Sequence, residues 1–319
     1  MLYYMERLSF KIKPKEPFRL DLTVWALRRR SNNVMDSWYK DTWRRVFLIG
    51  GEPVETIVTQ KTEKDSVSLV VNLAGLHLGT EVKKYIEDIV EKCLGTNIDL
   101  SDFYNTALED EKLKFLVNCF CGFKPPLFQT IFEAAVNGIA CQQVSLNIGI
   151  TLLNRLAINY GRTFQSENTM SYAFPTPKDL SKLTPEDFRK LGFSYQKGRA
   201  IIELAQATLA GKIDFERCTV LGDEEVLNQL LQLRGIGTWT GEYILLRGLG
   251  RLNVFPTGDA GGRRGLERWL NLPDKLTYEE AKTLAARWKP YSGMVYFHLL
   301  LNRLCEEGYL FEAPAAANT

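Results

Sequence analysis

The densest chemistry in the sequence lies between Asp223 and Leu270. Asp223 to Leu233 carries Val226, Leu227, Leu230 and Leu231 on one helical face. Arg234-Gly235-Ile236-Gly237 follows, and Thr238 is placed to cap a second helix that runs through Tyr243 to Leu246 and stops at Gly248 and Gly250. Two helices joined by Gly-Ile-Gly form a hairpin whose glycines permit φ > 0 and close backbone approach. Successive amides beside a helix N-terminus bind anions, so a phosphate fits there. Gly-x-Gly before a helix also opens dinucleotide sites, but those require a preceding strand, and here the preceding element is a helix. Downstream, Asp259 follows Gly258 into a further helix, Gly261 to Leu270. A carboxylate at a helix N-terminus stays ionised. It can be an N-cap, a stabiliser of positive charge in a reaction, or both. Trp239 and Tyr243 are four apart on one helix face, as a stacking wall for a planar ligand or as an aromatic core stripe.

The elements that must hold these groups divide the chain in two. Before residue 76, the runs Phe18 to Leu27, Arg45 to Gly50, Glu55 to Thr59 and Val67 to Leu73 are short and rich in β-branched or aromatic residues, as antiparallel strands are. The triple Arg28-Arg29-Arg30 reads as a solvated strand end, with a phosphate contact as its other reading. After residue 76 nearly every segment has helical spacing: Thr80 to Cys93, Leu113 to Phe120, Phe128 to Ala140, Leu146 to Tyr160 and Lys197 to Leu209. Thr184-Pro185-Glu186-Asp187 is a helix start, and Phe174-Pro175-Thr176-Pro177 is a loop. The expected fold class is α+β: a small antiparallel sheet with flanking helices over 1–112, a helical body over 113–310, and a frayed Ala-rich tail over 311–319. No Gly/Ser-rich linker separates the two parts, which are expected to pack as one unit.

Composition restricts the function classes. Hydrophobic residues at 45% and charged residues at 24% exclude a disordered chain or a fibrous repeat. Lys+Arg of 40 against Asp+Glu of 38 gives a net charge of only +2, so any nucleic-acid contact must come from locally placed groups. The absence of a long apolar run or a signal-peptide pattern leads to the expectation of a cytoplasmic protein with no membrane association. Cys93, Cys119, Cys121, Cys141, Cys218 and Cys305 are scattered without a CxxC pair, which is reduced usage; Cys119 and Cys121 read as core packing. With two histidines and no ligand spacing, no metal site is expected, and His298 on an apolar helix reads as structural.

Leu233 to Gly241 resembles the helix-hairpin-helix motif of the HhH-GPD DNA glycosylase superfamily. Asn253 to Arg264 resembles that superfamily's Gly/Pro-rich loop ending in an aspartate. Phe132 to Ser145 and Arg287-Trp288-Lys289-Pro290-Tyr291 resemble the AlkA-type branch, the 3-methyladenine DNA glycosylase II enzymes. The four motifs occur in order over roughly 125–305.

The resemblance implies a monofunctional glycosylase that releases alkylated purines from damaged double-stranded DNA, acts as a monomer and associates with the nucleoid. Asp259 becomes the catalytic carboxylate. Trp239 and Tyr243 become walls for a flipped base, with Trp25 as a third candidate whose other reading is core packing. Gln143, with Gln142 beside it, is placed to fill the vacated stack. Gly235, Gly237 and Thr240 are expected at phosphates, and so more loosely are Lys197 and Arg199 near a second hairpin-like turn, Gly192-Phe193-Ser194. Bifunctional relatives carry a Schiff-base lysine where this chain has Trp239, and no lysine occurs from Arg217 to Asp274. No iron–sulfur cluster or other cofactor is expected, apart from a monovalent cation at the hairpin carbonyls. A tryptophan of the branch's base pocket aligns with Leu300. Two alternatives stay open: a glycosylase for oxidised or deaminated purines, and a lesion-binding module without catalysis.

Overall fold

The structure, a computed structural model, describes residues 5–63, 66–166 and 169–310. The N-terminal part comprises β1 (Glu6–Ile12), α1 (Leu20–Arg28), β2 (Ser37–Tyr39), β3 (Thr42–Ile49), β4 (Glu52–Glu63) and β5 (Ser66–Gly75). Its five strands form one antiparallel sheet in the order β1-β5-β4-β3-β2. Gly50 and Gly51, both at positive φ, close the β3–β4 hairpin and set Trp43 opposite Val58 and Phe47 opposite Val54. These four side chains are buried on one face of the sheet, which packs against α1 and the next helix, α2 (Thr80–Leu94).

Then follow α3 (Ser101–Ala107), α4 (Glu111–Cys119), α5 (Ile131–Cys141) and α6 (Leu146–Tyr160). A two-stranded hairpin, β6 (Thr163–Ser166) and β7 (Thr169–Tyr172), comes next. The chain continues through α7 (Pro177–Leu180), α8 (Pro185–Lys190), α9 (Tyr195–Leu209), α10 (Asp223–Leu231), α11 (Thr238–Arg247), α12 (Ala260–Leu270), α13 (Tyr278–Ala285) and α14 (Ser292–Glu306). Helix α5 is buried on every side, residues 131–140 without exception, with Glu133 and Asn137 as its polar members. At about 1.5–3 kcal/mol for each large side chain removed from water, it anchors the helical body. Thr130 caps its start by accepting from the Glu133 amide.

Three differences from the sequence reading have physical causes. Residues 20–28 form α1 rather than a strand. Leu20, Leu22, Thr23, Val24, Ala26 and Leu27 are all buried, and an element buried nearly all round shows neither period cleanly. Arg28, Arg29 and Arg30 are consequently not a solvated strand end: each is at most 5% exposed. Strands β6 and β7 were not expected, because Thr163 to Tyr172 is polar and lacks a tight-turn signature. The tail expected to fray lies outside the described residues.

The two parts share their packing. Phe103 and Ala107 join Leu113, Leu116 and residues of α14 in one cluster, so no gap in packing falls at residue 112. His298 is buried against Phe103, Phe120 and Phe123, which matches its structural reading, and burial lowers its pKa to about 4. Cys119 is half-buried and Cys121 exposed, so Cys121 is not core packing; all six cysteines are free thiols.

Candidate active site

The α10–α11 hairpin is a rigid corner. Gly235 has φ +78°, and a Cβ there would stand 2.6 Å from Ala200 Cβ on α9. Thr238 is the first residue of α11 rather than its cap. Gly237 occupies the cap position and offers no side-chain acceptor, so the first amides of α11 lack one. Gly235, Gly237 and Thr238 are exposed around them. An uncapped helix start with exposed residues around it is the geometry that the anion-binding expectation requires.

Other residues expected at phosphates or at the wedge hold this corner instead. Gln142 Nε2 donates to the Gly235 carbonyl and to Thr240 Oγ1, both at 2.7 Å. Thr240 is 1% exposed, so its hydroxyl meets Gln142 and not solvent. Lys197 Nζ donates to the carbonyls of Ala140 and Gln142 at 2.9 and 2.6 Å, closing the C-terminal end of α5, and burial lowers its pKa. Arg199 pairs with Glu203 at 2.7 Å. With Gln142 pinned, Gln143 projects from the turn between α5 and α6, exposed and at φ +53°, a left-handed conformation that costs a non-glycine residue energy.

A cavity of about 860 Å³ opens between this turn, the start of α11, the start of α12 and one face of α14. Asp259 caps α12: its Oδ1 accepts from the Gly261 amide at 2.7 Å, and its Oδ2 accepts from the Tyr296 hydroxyl at 2.6 Å. The Tyr296 phenol is pushed well above its ordinary pKa, by burial and then by the Asp259 charge, so it stays a donor. The cap reading of Asp259 is seen directly, and the capped carboxylate also lines the cavity. Trp239 stands across the cavity, half-buried, with its ring centroid 5.8 Å from that of Tyr243. Its indole Nε1 is buried without a partner. Tyr243 is 5% exposed and forms the deeper edge of the wall. Gly258 lets the Asp259 loop approach: a Cβ there would lie 2.6 Å from Trp239 Cβ.

Asp259 is the one carboxylate among the lining residues, against Arg29, Arg247, Arg264, Arg268 and Arg303. Arg268 and Arg303 pair with Glu306 and Glu307, so the local excess of positive charge, in a chain of net charge +2, rests on Arg29, Arg247 and Arg264. No cluster of three or more His, Cys, Asp or Glu suited to a metal occurs among the described residues.

Trp25 does not join the site. It lies on α1 against Tyr309, ring centroids 5.5 Å apart, under the Arg28 guanidinium, and does not line the cavity. Leu300 does line it, together with Tyr296, Leu299 and Arg303. These four share one face of α14, so helical spacing from Leu300 would have found Tyr296 and Arg303. Arg29 and Arg247 carried no such signal, because each reaches the cavity from an element whose facing the sequence left open.

The family described as HhH-GPD superfamily base excision DNA repair protein matches residues 136–290. The chain is 26% identical over 219 residues to a DNA-3-methyladenine glycosylase of Bacillus subtilis, covering 69% of this chain and 71% of that one. It is 30% identical over 197 residues to DNA-3-methyladenine glycosylase 1 of Schizosaccharomyces pombe, covering 60% of this chain and 80% of that one. Its fold superposes on a 3-methyladenine DNA-glycosylase from Archaeoglobus fulgidus with a TM-score of 0.81 at 24% identity, over 93% of this chain and 99% of that one.

Proposed function

The chain belongs to the HhH-GPD superfamily of base excision DNA repair proteins, and from that premise we propose that it is a DNA glycosylase that hydrolyses the N-glycosidic bond of alkylated purines without cleaving the strand. DNA is its partner, and the damaged base is the substrate flipped into the cavity. The curated relatives named as 3-methyladenine glycosylases support this substrate class.

The observation that carries the reading is the Asp259 carboxylate, fixed by an amide and a phenol, on the same cavity of about 860 Å³ as the Trp239 wall, with ample room for a flipped base. As the C1′–N bond lengthens, the sugar becomes oxocarbenium-like, and a fixed carboxylate stabilises that charge or orients the attacking water. Trp239 stacks on the base, Tyr243 closes the depth, and Gln143 fills the gap left in the duplex. The amides at Gly237 and the start of α11 take a phosphate, and Gly235 sets their direction. Trp239 stands where a Schiff-base nucleophile would be needed, which supports hydrolysis without a lyase step.

A monovalent cation at the hairpin would share carbonyls already engaged. Gly235 accepts from Gln142, and Leu233 accepts from the Ile236 amide, so no step is routed through it. The protein is expected to act as a monomer on nucleoid DNA in the cytoplasm.

The test is base release from methylated duplex DNA by wild type and Asp259→Asn, with strand breaks scored before and after alkali. Wild type should release base, with breaks after alkali only. Asp259→Asn should lose on the order of a hundredfold in rate. Breaks without alkali would overturn the hydrolytic reading. Tight binding with no release of any alkylated, oxidised or deaminated base would leave a lesion-binding module.

A further inference from the structure

The turn that carries Asp259 leaves two amides without an acceptor. Pro256 to Asp259 is closed by the Asp259 amide, which donates to the Pro256 carbonyl at 2.9 Å. Inside that turn, the amides of Thr257 and Gly258 donate to no atom within hydrogen-bond geometry among the described residues. Thr257 is 3% exposed, and a buried amide left unpaired is costly. Both amides face one side chain, Glu242 on α11. Burial raises the Glu242 pKa, and the Tyr278 hydroxyl and the amides of Gly258 and Thr257 oppose that rise. Glu242 Oε1 accepts from the Tyr278 hydroxyl at 3.1 Å, and Oε2 is buried without a partner. A carboxylate with one unpaired oxygen thus lies beside two unpaired amides. Tyr278 opens α13, whose start is fixed by the Thr277–Glu280 capping box, so the carboxylate joins α11, α13 and the Asp259 turn. Glu242 also lies one helical turn beyond Trp239, at whose Cβ Gly258 makes its close approach. Trp239, Gly258 and Asp259 line the base cavity, and Glu242 does not.

We infer that Glu242 is a positioning residue for Asp259: its carboxylate gathers the Thr257 and Gly258 amides with the Tyr278 hydroxyl, holds the turn against α11, and so fixes where Asp259 enters the cavity. The inference rests on the glycosylase reading above and adds to it a residue that touches no substrate and acts through Asp259 alone. A carboxylate suits three converging donors because both of its oxygens only accept. A glutamine offers one acceptor oxygen, and its NH2 group would confront an N–H or O–H donor. Hydrogen bonds in an active site are often long before substrate binds and tighten in the complex, which accounts for two amides that face the carboxylate without full bonding geometry. The catalytic carboxylate must keep its place relative to the sugar while the C1′–N bond breaks, and a displacement of about 1 Å costs up to a hundredfold in rate.

The experiment compares wild type, Glu242→Gln, Asp259→Asn and the double variant in single-turnover base release from methylated duplex DNA, with affinity measured on a duplex carrying a tetrahydrofuran abasic analogue. Glu242→Gln should lose about tenfold in single-turnover rate, with the half-saturating enzyme concentration and the abasic-duplex affinity within about twofold of wild type. Added to Asp259→Asn it should cost nothing further, because the group it positions is already gone. A merely structural role predicts the same factor of loss in both backgrounds. A Glu242→Gln rate equal to wild type, or full additivity with Asp259→Asn, overturns the inference. Amide hydrogen exchange, followed by NMR at Thr257 and Gly258, gives a readout free of activity: exchange should be about tenfold faster in Glu242→Gln, and unchanged exchange overturns the inference as well. Should Glu242→Gln fail to fold, Glu242→Asp, which keeps the charge and draws the oxygens back by one methylene, takes its place in both measurements with the same expected and overturning results. Failure of the glycosylase reading is a distinct outcome: no base release by wild type, with exchange at Thr257 and Gly258 still dependent on the side chain at position 242.

Discussion

Asp259 is positioned by two donors of different kinds, and the difference separates their effects. The Gly261 amide belongs to the backbone of α12 and holds Oδ1 wherever the helix forms. The Tyr296 hydroxyl reaches Oδ2 from α14 and is a removable constraint. Burial and the neighbouring carboxylate both raise its pKa, which keeps the phenol a donor. Tyr296→Phe keeps the ring, which packs edge-on against Phe255 at 5.4 Å, and deletes only the donor. Asp259 then keeps its cap bond but gains freedom to rotate away from the sugar. Base-release kcat should fall by about tenfold, a fraction of the loss from removing the carboxylate. KM should change little, because the phenol does not line the stacking wall of Trp239. Single-turnover kinetics on a released alkylpurine check this, and an equal loss in Tyr296→Phe and Asp259→Asn would show that the phenol does more than orient.

At the scale of elements, the site depends on how closely the Asp259 loop approaches α11. Gly258 is the point of contact, with room for hydrogen but not for a methyl group 2.6 Å from Trp239 Cβ. Gly258→Ala must push the loop off the helix or rotate Trp239, and overpacking of this kind costs about 1–3 kcal/mol. Thermal unfolding should show a lowered Tm, and base release should fall further than stability does, since both walls of the cavity move; a Tm and activity equal to wild type would refute the contact. The same elements show what the sequence could reveal. The hairpin, the Asp259 loop and the Trp239–Tyr243 face were legible because each is local: a glycine pair, a cap, a spacing of four. The sheet was legible from Arg45 onward because its runs are short and rich in β-branched and aromatic residues. Helix α1 was not, because Phe18-Arg19-Leu20-Asp21-Leu22 alternates like a strand while Leu20, Val24 and Leu27 repeat like a helix. That ambiguity also hid Arg29 and misplaced Trp25, since both depend on which way α1 faces. Lys197 and Thr240 meet partners on the Ala140–Gln142 turn, far away in the sequence, which spacing alone does not reveal, whereas Arg199 pairs with Glu203 on its own helix.

For the whole molecule, the joint between sheet and helical body is a buried charge cluster. Arg45 on β3 is 1% exposed and spans both parts. It donates to Asp36 at 2.8 and 3.0 Å and to both oxygens of Glu133 on α5 at 2.7 Å. Burial raises the Glu133 pKa, and Arg45 opposes that rise, so the carboxylate is stabilised in its ionised form by this one cation. Glu133 lies near the start of the same helix whose far end leads into the Gln142–Gln143 turn, so the sheet fixes the element that carries the exposed Gln143. Arg45→Met would leave two buried carboxylates facing each other without a cation, and breaking such a pair costs about 3–5 kcal/mol. Arg45→Met combined with Asp36→Asn and Glu133→Gln removes the stranded charges and should recover much of that loss. Urea unfolding followed by tryptophan fluorescence and by far-ultraviolet circular dichroism tests both. Wild type should unfold in one coincident transition, because sheet and helices share their core. A loss below about 1 kcal/mol in Arg45→Met, or no recovery in the triple substitution, would mean that apolar packing alone joins the two parts.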